Sequence, residues 1–202
     1  MNFAILASVI ILGIAVSLAN RMNNSKETKA ENDFWERERK SNFVRKKSLD
    51  SLDYITIPLD KLPVDILNED STVKDCINRL RVLSECKIVN FTGYTNTDLK
   101  LEYGTANISL LSEYDESFTE LAHILSIWEQ KLFKEGFFDE TKSICEYAVS
   151  IGSDVKSSYL DLADIYLNEN TPEKIDELIE KARGLKSANA PVITRLLKEK
   201  IQ

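Results

Sequence analysis

The chain has 202 residues, 43% of them hydrophobic and 29% charged. That balance excludes a disordered polypeptide and leaves room for one well-cored domain with appendages. The formal charge of −7 is uneven: residues 21–47 carry nine Lys/Arg against five Asp/Glu, whereas residues 48–202 carry 17 against 28. An acidic body excludes specific nucleic-acid binding as the leading role, because phosphate contacts need a positive face.

Residues 1–20, MNFAILASVIILGIAVSLAN, hold no charged side chain. As a helix, about 19 residues rise about 28 Å, close to the roughly 30 Å hydrocarbon core of a bilayer. The stretch has no polar stripe for a soluble core helix, so a single transmembrane anchor is expected. Arg21, Lys26 and Lys29 follow it, and positive flanks stay inside. The body is therefore expected in the cytoplasm, at the cell membrane. The alternative is a signal peptide removed after Ala19, since Ser17-Leu18-Ala19 has the small-x-small form. Against it stand the missing basic leader and an apolar run longer than such signals use. The sequons at Asn23, Asn90 and Asn107 matter only in a glycosylating pathway.

Residues 21–47 read as a basic polar tether. Phe34, Trp35, Phe43 and Val44 are set among charges. Arg37, Arg39, Lys40, Arg45, Lys46 and Lys47 are the membrane-proximal cations, able to draw the segment toward anionic headgroups. The competing reading is a charged helix or tether whose aromatics pack on the body. Residues 48–69 are extended: Tyr54-Ile55-Thr56-Ile57 is largely β-branched, and Pro58 and Pro63 push their predecessors out of the helical region. The apolar side chains from Leu49 to Leu62 are expected along the body's surface.

From residue 70 the apolar spacing becomes helical. Residues 70–114 form a helical cap region, with Val73, Cys76, Ile77, Leu80 and Leu83 as one stripe, Ser71 or Thr72 as its cap, and a short helix over 97–103. Residues 115–202 carry successive stripes: Phe118 to Leu132 up to Gly136, Ile144 to Val149 up to Gly152, Tyr159 to Tyr166, Ile175 to Ala182 after Pro172, and Val192 to Ile201 after Pro191. Cys76, Cys86 and Cys145 show no CxxC. On one helix, Cys76 and Cys86 would be about 15 Å apart, too far to bridge. Three unpaired thiols suit a reducing compartment and read as small buried apolar groups.

The stripes recur at a 34-residue period. Leu125 maps to Tyr159 and then Ile193, Trp128 to Leu162, Leu132 to Tyr166, Gly136 to Asn170, and Ala148 to Ala182. Residues 117–201 thus resemble the tetratricopeptide repeat: Tyr159-Leu162-Ala163-Tyr166 is similar to its first-helix signature, and Ala148 and Ala182 to its small second-helix residue. Thr141 and Ile175 depart from it, standing where the family usually has alanine. The apolar start and the DFWERERK…LDYITIPLDKLP neck also resemble a group of small bacterial membrane-anchored proteins. The implied fold is all-α, a transmembrane helix followed by antiparallel helical hairpins.

In such repeats first helices line a concave groove. The period puts His123, Gln130 and Lys134 on it in one repeat and Asp161, Asp164 and Asn168 in the next. Asp161 and Asp164, three apart on a helix, could attract a basic or amine-bearing peptide; otherwise they hydrate a helix surface. Paired acids without a base or ligand set do not suggest catalysis. The only histidine is His123, which excludes a multi-histidine metal site, and no phosphate-binding, zinc-protease or nucleophile-elbow motif occurs. The expected role is a membrane-anchored protein–protein interaction adaptor with a protein or peptide partner. It is not an enzyme and has no cofactor, no metal and no small-molecule substrate. The alternative role is an exported binding module.

Overall fold

A computed structural model describes residues 12, 28, 29 and 31–201. The anchor expected over residues 1–20 lies outside the described residues, save Leu12. Among the described residues no helix is long and apolar enough to cross a membrane. The described fold is all-α: helices joined by turns, with no strand. It divides into two compact units.

The first unit joins residues up to Lys47 with Thr95–Ile108. Its helices are α1, the helical residues 31–41, and α3, Asn96–Tyr103, with a 3₁₀ turn at Thr105–Asn107. α3 starts with a capping box, in which Thr95 accepts from the Asp98 amide and Asp98 accepts from the Thr95 amide. α1 is fastened to α3 by polar contacts. Arg37 pairs with Asp98, while Glu38 accepts from Lys100 and from Thr97 Oγ1 (2.5 Å). Asn107, buried, donates from Nδ2 to the Lys47 and Tyr103 carbonyls. Gly104 sits at φ 89°, and a Cβ there would overlap the Arg45 carbonyl oxygen.

The second unit, Ser48–Tyr94 with residues 109–201, contains α2 (Ser71–Leu83), nearly all of α4 (Ile108–Lys134), α5 (Phe138–Ser150), α6 (Lys156–Asn168), α7 (Glu173–Gly184) and α8 (Ala190–Lys200). The cap of α2 is Asp70, one residue before the expected pair; its carboxylate takes the Thr72 and Val73 amides. A carboxylate there both accepts these amides and meets the positive end of the helix dipole. α4 is longer than its stripe implies, because Leu111 and Tyr114 extend the buried face backward through a polar-looking stretch.

Two hydrophobic cores share α5. Ile144 and Ala148 on one side join α2, α4 and residues 48–69, which are extended only over 53–58 and run in turns from 59 on, with Ile57 and Leu62 buried. One residue on, Cys145 and Val149 join α6, α7 and α8. The extended segment meets residue 88 through one bond, Ile55 N to Ile88 O (2.9 Å), too little for a ladder. Trp128, Tyr159 and Leu125 are fully buried, and each such side chain contributes about 2 kcal/mol through removal from water.

The hairpin geometry repeats. α4 closes at Gly136 (φ 84°), with Gly136 N to Phe133 O and Phe137 N to Leu132 O. α6 closes at Asn170 (φ 56°), with Asn170 N to Leu167 O and Thr171 N to Tyr166 O. Both are Schellman closures that satisfy the last carbonyls of the helix. Cys76 and Cys145 are buried, but Cys86, in the turn after α2, is exposed, contrary to the reading of all three as buried apolar groups. α2 ends before it, so backbone rather than helix separates the two.

Candidate binding face

The face formed by α4, α6 and α8 is built from the seams between them. α6 packs on α8 and on α7, and α7 packs on α8. Along the α4–α6 seam the contacts are polar. Gln130 Nε2 donates to Ser126 Oγ (3.1 Å) and Ser157 Oγ (3.4 Å), and the two serine hydroxyls lie 3.4 Å apart. Small serines let the helices approach, and their hydroxyls keep the seam hydrogen-bonded.

Beneath this seam lies Glu129, fully buried. Ser157 Oγ (2.8 Å) and Ser158 Oγ (2.9 Å) donate to Oε1, and Cys145 Sγ lies 3.3 Å from Oε2. Burial pushes the carboxyl up to about 7; the three hydrogen bonds hold it down only in part, and Asp161 adds to the rise. Burial and Glu129 together push the Cys145 thiol well above its ordinary range. A protonated, inaccessible thiol is no nucleophile, and the cluster ties α4, α5 and α6 together. Its sequence signal is positional: Glu129 stands four residues after Leu125 and eight after Leu121, on the buried stripe of α4.

The expected groove residues separate into four groups. Gln130 is at the α4–α6 seam. Asp161 and Asp164 are half-buried on α6, and Asp164 is paired with Lys200 of α8. Burial first, and Asp164 second, raise the Asp161 carboxyl above its ordinary range, with Lys200 opposing. His123 is exposed in a shallow hollow of about 260 Å³ with Asp115, Glu116, Thr119 and Glu120. Lys134 and Asn168 are exposed at the last residues of α4 and α6. The structure brings Asp161, Asp164 and Lys200 together; it does not bring His123 or Lys134 to them. Lys200 lies 36 residues from its partner and gave no local sign.

Of the six cations expected near a membrane, Arg37 pairs with Asp98, Lys40 with Glu36 (2.7 Å), and Lys47 donates to the Leu101 carbonyl (3.4 Å). Arg39, Arg45 and Lys46 are exposed. A cleft of about 590 Å³ in the second unit is lined by Tyr54, Asn90, Tyr94, Tyr147 and Lys186. Its polar groups serve one another: Tyr147 Oη donates to the Thr56 carbonyl, Asn90 Nδ2 to those of Ile151 and Gly152, and Lys186 stands over the Tyr94 ring. Among the described residues no three His, Cys, Asp or Glu side chains form a metal-ligand set.

Compared with family models, curated proteins and solved structures, the chain matches none.

Proposed function

We propose that this chain is a membrane-tethered adaptor whose tetratricopeptide-like hairpins hold a protein or peptide partner on the α4–α6–α8 face. The observation that carries the reading is the recurrence, 34 residues apart, of one buried stripe with its closure, Leu125-Trp128-Leu132 before Gly136 and Tyr159-Leu162-Tyr166 before Asn170. Repeated hairpins of that period stack into extended interaction surfaces. The partner segment carries basic or amine groups, which meet the half-buried Asp161 beside the Asp164–Lys200 pair. The role is binding rather than catalysis: among the described residues, the one carboxyl pushed as high as about 7, Glu129, is buried. The apolar run at 1–20 tethers the body, and the cations that follow it keep the body on the cytoplasmic side.

The test is a C-terminal reporter active on one side of the membrane, run beside sequencing of the mature N-terminus. A cytoplasmic signal with Met1 retained supports the adaptor. An external signal, or a mature chain beginning at Asn20, overturns it in favour of an exported module. Binding is tested by reversing Asp161 and Asp164 to lysine: a partner captured equally well by the reversed chain does not use this face.

A further inference from the structure

The first unit turns its aromatics outward. Phe34 and Trp35 on α1 are 55% and 59% exposed, their rings edge to face at 5.3 Å, and Phe43 just beyond the helix is 82% exposed. A single exposed aromatic is ordinary, but three within ten residues are not. The cause is the way α1 is fastened. Its inward positions are polar: Arg37 and Glu38 engage α3, and the buried Ser41 gives its carbonyl to Thr105. The large apolar groups are left over on the surface of this unit.

The charges beside them are biased as well. Glu36 and Glu38 are paired with Lys40 and Lys100; Glu31 and Asp33, before the aromatics, and Arg39, Arg45 and Lys46, among and after them, are exposed without an ion pair among the described residues, so cations prevail from residue 34 on. We infer that residues 34–46 are a docking element for an anionic bilayer surface, with Trp35 and its aromatic neighbours at headgroup level and Arg39, Arg45 and Lys46 on lipid phosphates. Aromatic rings with cations beside them suit the interface, where one end of a side chain is apolar and the other wet. The inference rests on the membrane reading above for proximity alone: the 14 residues from Asn20 to Phe34 reach about 50 Å at most.

The full chain is mixed with vesicles of neutral lipid, or with about a third anionic lipid, each with and without bromine on the acyl chains, and is followed by flotation and tryptophan emission. The chain has two tryptophans, and Trp128 is fully buried, so Trp35→Phe identifies the reporter without touching the core. Docking predicts that brominated lipid quenches the wild-type emission in anionic vesicles and leaves Trp35→Phe unquenched. Arg39→Gln and Lys46→Gln each lower the docked-to-undocked ratio roughly fivefold. A chain that floats with both vesicles while Trp35 stays unquenched overturns docking and leaves the anchor standing. Flotation and quenching with anionic vesicles alone support docking and overturn the anchor. Flotation with neither overturns both, and quenching that ignores lipid charge and both substitutions overturns docking.

Discussion

Gly136 and Asn170 occupy the same turn, 34 residues apart. Each has positive φ, 84° and 56°, and each donates to the carbonyl three residues back. Glycine enters that region freely, asparagine tolerates it, and other residues pay about 1–2 kcal/mol. Nothing lies within 4 Å of a Cβ built at Gly136, so backbone conformation alone decides the effect there. Gly136→Ala is predicted to destabilise by about 1 kcal/mol, and Asn170→Gly to be neutral or stabilising, in denaturant titrations monitored by circular dichroism.

Gly104 is a different case, because space fails as well as conformation. Its φ is 89°, and a Cβ meets the Arg45 backbone. Gly104→Ala is predicted to cost more than Gly136→Ala, on the order of 3 kcal/mol. Hydrogen exchange should rise first at the Lys47 amide, which donates to the Tyr103 carbonyl (3.0 Å), and leave the α5–α8 amides unchanged.

The buried carboxyl of Glu129 makes stability depend on pH. Its folded value of about 7 lies above its ordinary 4.5. The folded state keeps a proton that the unfolded state releases, so stability falls as pH rises from about 4.5 to 7 and then levels, by up to about 3 kcal/mol. Asp161 is raised too and acts in the same direction. Asp70 and Asp98 are held low by hydrogen bonds and by Lys131 and Arg37, so their contribution is lost only at more acid pH. Glu129→Gln keeps an oxygen for the two serines and should flatten most of the slope. Thermal melts of both chains at pH 5 and pH 8 check this; equal slopes would contradict it.

Thiol labelling distinguishes the three cysteines. Cys86 is exposed, and Cys76 and Cys145 are buried with raised thiols. A maleimide is predicted to modify one thiol per native chain and three in denaturant. Cys86→Ser should remove the native reaction entirely.

Much of this fold is written in spacing. Leu125, Trp128 and Leu132 before Gly136, and Leu162 and Tyr166 before Asn170, mark helix, face and end within a few residues of chain. The start of α4 is not so marked, since Leu111 and Tyr114 are separated by polar residues that read as a loop. The site is less legible than the fold for the same reason of distance. Asp161 and Asp164 are local neighbours, but Lys200 of α8 neutralises one of them. Glu129 is buried by Cys145, Ser157 and Ser158, residues of α5 and α6 that only tertiary packing brings to it. Phe34, Trp35 and Phe43 are exposed within the first unit, a placement that their spacing among charges does not disclose.

Face-resolved photocrosslinking tests most directly whether a partner sits on the α4–α6–α8 face. A photoreactive amino acid is placed in the full chain at Leu167 on the exposed side of α6, and separately at Ser143 on α5 and Glu177 on α7, all three exposed. The account predicts one crosslinked partner from Leu167, none from the other two positions, and its loss when Asp161 and Asp164 are reversed to lysine. Equal crosslinking from all three positions, or a Leu167 product indifferent to the reversal, would contradict it.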